Sequence, residues 1–292
     1  LLGYSYGTFL GATYAGLFPE RVGRFVLDGA LDPTLSVNEV SALQMRGLDA
    51  AIQHWIDDCQ AGPRCPLGKS HADGVSTLVS FIKALESQPM RTRDPQRPLT
   101  ANLALSAIYG AMYDTSWYQT LTSAVGQAIS NADGSALLEI ADLLNERNDD
   151  GTYSGNSLDA LVVVNNLDYG PVGTVDEWAE AASALEAELP IMGPYGGYPS
   201  AGLAAWPTAH AERAPITAAG AAPIVVVGTT HDPATPYPMA QALASQLSSG
   251  VLVSVEGWDH TSYKRGGNQC AVDAVEKYLV DGTVPQSGLM CQ

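Results

Sequence analysis

Hydrophobic and polar positions divide the chain into two short ends of mixed character and a long middle part. Near the start, small apolar residues with a helical period at 8–15 lead into a buried run at 24–28. Near the end, an unbroken β-branched run at 222–228 is followed by a helical stretch at 237–247, a run at 250–256 and a helical stretch at 268–279. Unbroken apolar runs are typical of parallel strands covered on both faces. The ends therefore predict an α/β fold with a parallel sheet, in which residues 250–256 form the last strand.

The middle part has a different pattern, which begins near residue 37. Apolar positions recur with a helical period at 40–57, 75–85, 101–112, 117–129, 135–145 and 174–189, and Gly, Pro, Asn or Asp clusters separate these stretches. We therefore predict a sheet core at 1–35, a large, mainly helical cap insertion at 36–215, and the rest of the core at 216–292.

The first residues, Gly3-Tyr4-Ser5-Tyr6-Gly7, form the pattern G-x-S-x-G. This pattern is typical of a nucleophile elbow, in which a strand turns sharply into a helix and carries a serine at the turn. The two glycines are expected to prevent side-chain collisions at the turn. Because a strand, a turn, a helix and a second strand fit within about 28 residues, we predict that Ser5 is a nucleophile.

A serine needs a histidine to take its proton and a carboxylate to orient that histidine. Asp232 follows the predicted strand at 222–228, and His260 follows the one at 250–256. The order Ser5, Asp232, His260 is that of α/β-hydrolases. Asp28 also follows a strand and is the alternative acid, although it could instead bond turn amides together with Asp32.

The other four histidines compete less well for the role of base. His231 adjoins Asp232 and could tune it or be structural. Three lie in the predicted cap with no strand before them and are expected to be surface or capping residues: His54, His71 and His210.

The reaction would also need donors for a developing oxyanion. One is the backbone N–H of Tyr6, directly after the nucleophile, and the second usually comes from a loop after an early strand. In this sequence that loop would precede Leu1. The expectation is therefore of an N-terminally truncated hydrolase, completed by the missing N-terminal half or by another chain.

Composition narrows the possible partners. Of the 292 residues, 46% are hydrophobic, and 31 acidic residues against 14 basic ones give a net charge of -17. Such a charge repels nucleic acid and anionic lipid, and no apolar run approaches the roughly 20 residues of a membrane helix. We expect a secreted or cell-surface protein that needs no metal and no organic cofactor.

The four cysteines form two pairs that are close in sequence, Cys59 with Cys65 and Cys270 with Cys291. Three connectivities are possible, and local pairing would close short loops. Two disulfides in an oxidising compartment are expected, with buried thiols as the alternative. No histidine lies at metal-ligand spacing beside either pair.

Longer stretches carry a family resemblance. Residues 11–22 and 26–33, together with 230–236, 257–263 and 270–291, resemble the secreted tripeptidyl aminopeptidase-like serine hydrolases of actinobacteria and their TAP-like C-terminal domain. The resemblance implies an exported peptidase that cleaves short peptides from the N-termini of its substrates, with Ser5, Asp232 and His260 as its triad.

The predicted cap departs from that family at two positions. Where the family commonly has a pair of cysteines, this chain has Asn166 and Leu203. An exopeptidase also needs a carboxylate to pair with the substrate's free ammonium group. Asp168 is the candidate, with Asp176 or Glu177 as alternatives and a capping or solvated role as the ordinary interpretation.

Two other functions fit the same residues. A carboxylic-ester hydrolase or lipase would use the same triad, and a catalytically silent fragment would keep the fold for binding. Three aromatic residues are expected to line the pocket or to pack beside the elbow: Tyr4, Tyr6 and Trp258.

Overall fold

A computed structural model describes all residues, 1–292. Five parallel strands form one sheet in the order β1-β2-β3-β4-β5. The strands are β1 (Leu2–Tyr4), β2 (Phe25–Asp28), β3 (Ile224–Thr229), β4 (Gly250–Val255) and β5 (Leu289–Cys291). All residues of β2 and β3 are buried, as their unbroken apolar runs predict. The fold class is that of an α/β-hydrolase.

Eleven α-helices accompany the sheet. They are α1 (Tyr6–Leu17), α2 (Val37–Ala61), α3 (His71–Ser87), α4 (Ala101–Ala111), α5 (Tyr118–Asn131), α6 (Ser135–Leu144), α7 (Ser157–Asp168), α8 (Val175–Glu188), α9 (Pro199–Ala204), α10 (Tyr237–Gln246) and α11 (Gln269–Asp281). Each helix predicted from the periodic pattern is present. None of the eleven combines the length and the hydrophobicity that a membrane crossing requires.

The sequence pattern missed one strand and two α-helices. Residues 250–256 do not form the last strand, because β5 follows α11 and pairs in parallel with β4 through Val253 and Leu289. A strand of three residues is too short to show a period. Helix α7 was missed because its apolar residues at 161–164 are consecutive and do not recur with a helical period, and none of its residues is buried. Helix α9 has only six residues.

The chain divides into two compact units. One consists of Leu1–Gly47, Asp168–Gly173 and Pro199–Gln292, and the other of Leu48–Leu167 and Thr174–Tyr198. The first unit contains the whole sheet. The boundaries at residues 35 and 215, between sheet core and helical cap, remain a prediction from the sequence.

Apolar side chains cover both faces of the sheet. On one face, α1 and α10 pack through small residues such as Ala12 and Ala240 against Leu27 and Val226. On the other, α11 packs through Val275 and Tyr278 against the alternate residues of β3 and β4. Burial on both faces fixes the register of the strands and hence the positions of their carboxyl ends.

Both local cysteine pairs form disulfides. Cys59 is bonded to Cys65, and Cys270 is bonded to Cys291. The second bond joins α11 to β5. Two disulfides in one chain are typical of an oxidising compartment.

Candidate active site

Ser5 lies at the turn between β1 and α1 in a strained backbone conformation, with φ 51° and ψ -119°. Few non-glycine residues adopt a positive φ, and such outliers are common at functional sites. Its N–H donates to the carbonyl oxygen of Asp28 at 2.9 Å, which ties the turn to the end of β2. The serine side chain is only partly buried. This is the geometry of a nucleophile elbow.

The two glycines of the motif are not equivalent. A Cβ at Gly3 would collide with the backbone carbonyl of Gly7. A Cβ at Gly7 would meet no atom within 4 Å, so the expectation that both glycines prevent collisions is wrong for Gly7. The close approach needs a glycine only where the strand enters the turn.

Thr8 secures the first turn of α1 from inside the protein. Its N–H and its hydroxyl both donate to the carbonyl oxygen of Ser5, at 2.9 and 2.6 Å. The hydroxyl oxygen also accepts the N–H of Leu31 at 3.0 Å. Thr8 is fully buried, so these bonds hold the elbow in a water-free setting.

Asp232 and His260 lie together beyond the ends of β3 and β4. The Nδ1 atom of His260 is 2.9 and 3.0 Å from the two carboxylate oxygens of Asp232. The Asp232 side chain is fully buried, and its Oδ1 also accepts the N–H groups of Ala234 and Thr235 at 2.9 and 2.8 Å. A proton on Nδ1 leaves the lone pair on Nε2, so the carboxylate selects the tautomer that can act as a base.

Thr235 is a member of this cluster that the sequence did not single out. Its hydroxyl donates to Asp232 Oδ2 at 3.1 Å and is 3.4 Å from His260 Nδ1. The residue is buried and lies three positions after the aspartate. The signal that could have found it is a hydroxyl residue in the same loop as the predicted acid, because such side chains often bond nearby carboxylates.

Asp28 does not bond to His260. Its fully buried carboxylate accepts the backbone N–H groups of Ser262 and Tyr263 at 2.7–3.1 Å. Asp32 accepts bonds within its own turn, from Thr34. Burial raises the pKa of Asp28 to about 6, although the two backbone hydrogen bonds lower it.

Tyr6 is the first residue of α1, so its N–H has no acceptor within the helix. Its side chain reaches another part of the same compact unit, where the hydroxyl donates to Asp168 Oδ2 at 2.8 Å. Burial and this hydrogen bond raise the pKa of Tyr6 to about 12. The residue after the predicted nucleophile therefore contacts the predicted substrate carboxylate.

The alternatives to Asp168 are placed differently. Glu177 belongs to a capping box, in which its carboxylate accepts the N–H of Thr174 at 2.7 Å. Asp176 also lies in the first turn of α8, where an acidic residue favours the helix dipole. Asp168, at the end of α7, is the candidate that contacts the elbow helix.

Arg213 is a second neighbour that the sequence did not indicate. Its guanidinium lies 4.4 Å from the ring centre of Phe9 and 4.0 Å from that of Tyr169. It also donates to the carbonyl oxygens of Asp32 and Leu35. Arg213 thereby connects these residues to Tyr169, the residue directly after Asp168. The partners of Arg213 are far from it in the sequence, so no local sequence pattern predicts these contacts.

The remaining candidates have other partners. The ring of His231 stacks on Trp258 at 4.1 Å, and Tyr4 donates its hydroxyl to the carbonyl oxygen of Tyr263 at 2.6 Å. His71 bonds to Asp57 at 2.7 Å on an exposed surface. Of the expected pocket aromatics, Trp258 and Tyr4 therefore pack beside the strand ends.

Known proteins support this picture. Residues 190–291 match the family model described as "TAP-like protein". The chain is 36% identical to Serine protease Hip1 of Mycobacterium tuberculosis, over 99% of this chain and 57% of that protein. It is 37% identical to Carboxylesterase B of the same species, over 94% and 53%. Tripeptidyl aminopeptidase of Streptomyces lividans is 25% identical, over 99% and 54%.

The chain thus spans about half the length of the curated relatives that it matches. The relatives carry the names of a protease, an esterase and an aminopeptidase, all of which hydrolyse acyl compounds. Together with the parallel sheet and the elbow, these matches establish the class. The chain belongs to the serine hydrolase family with an α/β-hydrolase fold and a TAP-like C-terminal region.

Proposed function

We propose that this chain carries the catalytic residues of a serine exopeptidase that releases short peptides from the N-termini of its substrates. The observation that carries the proposal is the pair formed by His260 and the fully buried Asp232, at the same sheet edge as the elbow of Ser5. Carboxyl ends of parallel strands meet at one edge of a sheet, and ligands of such folds bind there.

In the proposed reaction, Ser5 Oγ attacks the carbonyl carbon of the scissile peptide bond while His260 Nε2 takes its proton. The buried carboxylate of Asp232 stabilises the imidazolium that forms. The N–H of Tyr6 binds the oxyanion, and His260 returns the proton to the leaving amine as the C–N bond breaks. Water, deprotonated by His260, then hydrolyses the ester on Ser5 and restores the enzyme.

We also propose a second oxyanion donor, which would come from a segment outside these 292 residues or from another chain. One donor contributes on the order of 100- to 1000-fold in turnover. A form with both donors is therefore expected to turn over faster than a form with the Tyr6 donor alone.

Active-site labelling tests the proposed nucleophile. The folded chain should react with a fluorophosphonate probe at Ser5, and Ser5→Ala should abolish the adduct, because the probe captures only an activated hydroxyl. Mass mapping identifies the labelled residue. Absence of an adduct from a chain whose circular dichroism confirms folding would refute the proposed activity of this chain.

Asp168 is proposed to pair with the free ammonium group of the substrate. Its carboxylate accepts the hydroxyl of Tyr6, the residue after Ser5, which supports a role for Asp168 beside the nucleophile. A charge-assisted hydrogen bond contributes about 1.5–3 kcal/mol, which corresponds to roughly 10- to 100-fold in binding.

Asp168→Asn should remove the charge-assisted hydrogen bond to the substrate's ammonium group. KM for tripeptide anilides with a free N-terminus should rise at least about tenfold, while N-acetylated peptides and short esters should be cleaved as before. Asp176→Asn is the matched control and should leave all substrates unaffected. An equal loss on free and acetylated peptides would show that Asp168 does not recognise the ammonium group.

An ester hydrolase is the second candidate, favoured by the 37% identity to Carboxylesterase B. The same acyl-enzyme chemistry would then act on an alkoxide leaving group, which needs less help from His260 as an acid. Comparison of tripeptide anilides with p-nitrophenyl esters separates the two. Turnover of esters alone would favour the esterase.

We also infer that the protein works outside the cytoplasm. The inference rests on its two disulfides and on the absence of any unpaired cysteine among the four. Peptides in that compartment are the proposed substrates.

A further inference from the structure

The segment that carries His260 is held in a costly conformation. Thr261, the next residue, has φ 69°, a left-handed value that is unfavourable for a β-branched side chain. Such a residue keeps this conformation only when surrounding contacts enforce it. The contacts of residues 260–263 therefore decide where the imidazole of His260 lies.

Two buried aspartates supply those contacts, and they divide the segment between them. Asp232 binds the first half, through His260 Nδ1 and through the N–H of Thr261 at 3.3 Å. Asp28 binds the second half, through the N–H of Ser262 at 2.9 and 3.1 Å and that of Tyr263 at 2.7 Å. Four consecutive residues are thus anchored on two carboxylates.

Further bonds connect the second half of the segment to neighbouring strands. The hydroxyls of Thr229 and Ser262 are 2.7 Å apart, and the hydroxyl of Tyr4 bonds to the carbonyl oxygen of Tyr263. Tyr4 precedes Ser5 directly. Asp28 ends β2, whose last carbonyl oxygen accepts the N–H of Ser5. One residue therefore contacts both the elbow, through its backbone, and the histidine segment, through its side chain.

Several titratable groups act on the carboxylate of Asp28. Burial and the charge of Asp232 raise its pKa, whereas the amides of Ser262 and Tyr263 and the charge of His260 lower it. Burial raises the pKa of Tyr4, and the negative charge of Asp28 raises it further. The result for Asp28 is a pKa of about 6, so the anion is the main form at pH 8.

We propose that Asp28 is a positioning residue, whose carboxylate holds residues 262 and 263 and thereby keeps the His260 imidazole in its place at Asp232, at the same sheet edge as Ser5. The proposal rests on the proposed serine hydrolase function. It gives the second aspartate at this sheet edge a role that is distinct from that of Asp232, which bonds to the imidazole itself.

The test is Asp28→Asn in the full chain at pH 8, because an amide keeps the size of the side chain but has only one acceptor oxygen. We expect fluorophosphonate labelling of Ser5 to slow by roughly 100-fold, as for a displacement of about 1 Å. KM should change less than about twofold for peptide substrates, since such a displacement acts on the chemical step. Amide hydrogen exchange at Ser262 and Tyr263 should accelerate.

Asp32→Asn is the matched control. Asp32 is also a buried aspartate just after β2, but its side chain contacts Thr34 and Gln246 and not the histidine segment. The fluorophosphonate probe should label Asp32→Asn at the wild-type rate. If Asp28→Asn showed the same labelling rate and the same amide exchange as the wild type, the proposal would be overturned.

The exchange measurement separates this proposal from the proposed function. If the wild-type chain does not label, the hydrolase function fails, and exchange at Ser262 and Tyr263 alone decides whether Asp28 holds the segment. Unchanged exchange in Asp28→Asn then overturns the positioning role as well.

If Asp28→Asn does not fold, the wild-type chain provides the test. Exchange at Ser262 and Tyr263, divided by the intrinsic rate at each pH, should rise as pH falls from 7.5 to 5, because protonation removes the charged acceptor. The amide of Gly29, which donates to the carbonyl oxygen of Val227, is the internal reference. A ratio that does not change with pH would overturn the proposal.

Discussion

At the scale of single residues, two aspartates at neighbouring strand ends differ because of what faces them. Asp232 faces an imidazole, whereas Asp28 faces two backbone amides. Burial is the largest influence on the pKa of Asp28 and raises it, although its two amide partners lower it. The same amino acid at the same sheet edge acquires a different chemistry from its partners.

The raised pKa of Asp28 makes a prediction about stability. Its folded pKa of about 6 exceeds the ordinary value of 3.8, so folding favours the protonated form. The raised pKa of Asp28 therefore adds to the free energy of unfolding in full below about pH 4, and this stabilisation is lost as pH rises through 6. Since a pKa unit corresponds to about 1.4 kcal/mol, the loss is on the order of 3 kcal/mol.

Asp28→Asn removes this titration and leaves the other carboxyl groups in place. The free energy of unfolding of the wild type minus that of Asp28→Asn should therefore decrease between pH 4 and pH 7. Urea unfolding at a series of pH values measures this difference. A difference that increases with pH would contradict the predicted direction of the pKa shift.

At the scale of elements, the short strand β5 depends on support from outside its own sequence. It has three residues, pairs only with β4, and is joined to α11 through the disulfide between Cys270 and Cys291. A strand of this length makes few ladder bonds. Its position in the sheet therefore depends on the covalent link.

The two disulfides should stabilise the chain to different extents. They close loops with sequence separations of 21 and 6 residues, and the longer loop loses more entropy when it is closed. We expect replacement of Cys270 and Cys291 by serine to cost about 3 kcal/mol, and replacement of Cys59 and Cys65 about 2 kcal/mol. Urea unfolding of the two double variants provides the comparison. A larger cost for the shorter loop would contradict the loop-closure argument.

At the scale of the whole molecule, the connection between β2 and β3 is the distinctive feature. It contains α2 through α9, and most of it forms the second compact unit, while residues 168–173 and 199 onward belong to the unit with the sheet. An insertion at a strand end leaves the sheet register intact, because the strands on either side still pair through residues such as Val26 and Val225. The sheet edge with the candidate site is consequently preserved.

The sequence by itself determined the local features of this protein. The turn at Ser5, the buried strands, most of the helices and the positions of Asp232 and His260 after strands follow from short patterns of glycine, apolar and polar residues. Parallel strands bring their carboxyl ends to one edge, so the pairing of Asp232 with His260 could be expected from the order of the elements alone.

Only the tertiary structure decided which groups meet across long separations. The bonds from Asp28 to the amides of residues 262 and 263, and from Tyr6 to Asp168, span 234, 235 and 162 positions. The short strand β5 and the exposed helix α7 were likewise seen only in the tertiary structure. The physical reason is that a local period reports which face of an element is buried, whereas a partner for a polar group depends on how the elements pack.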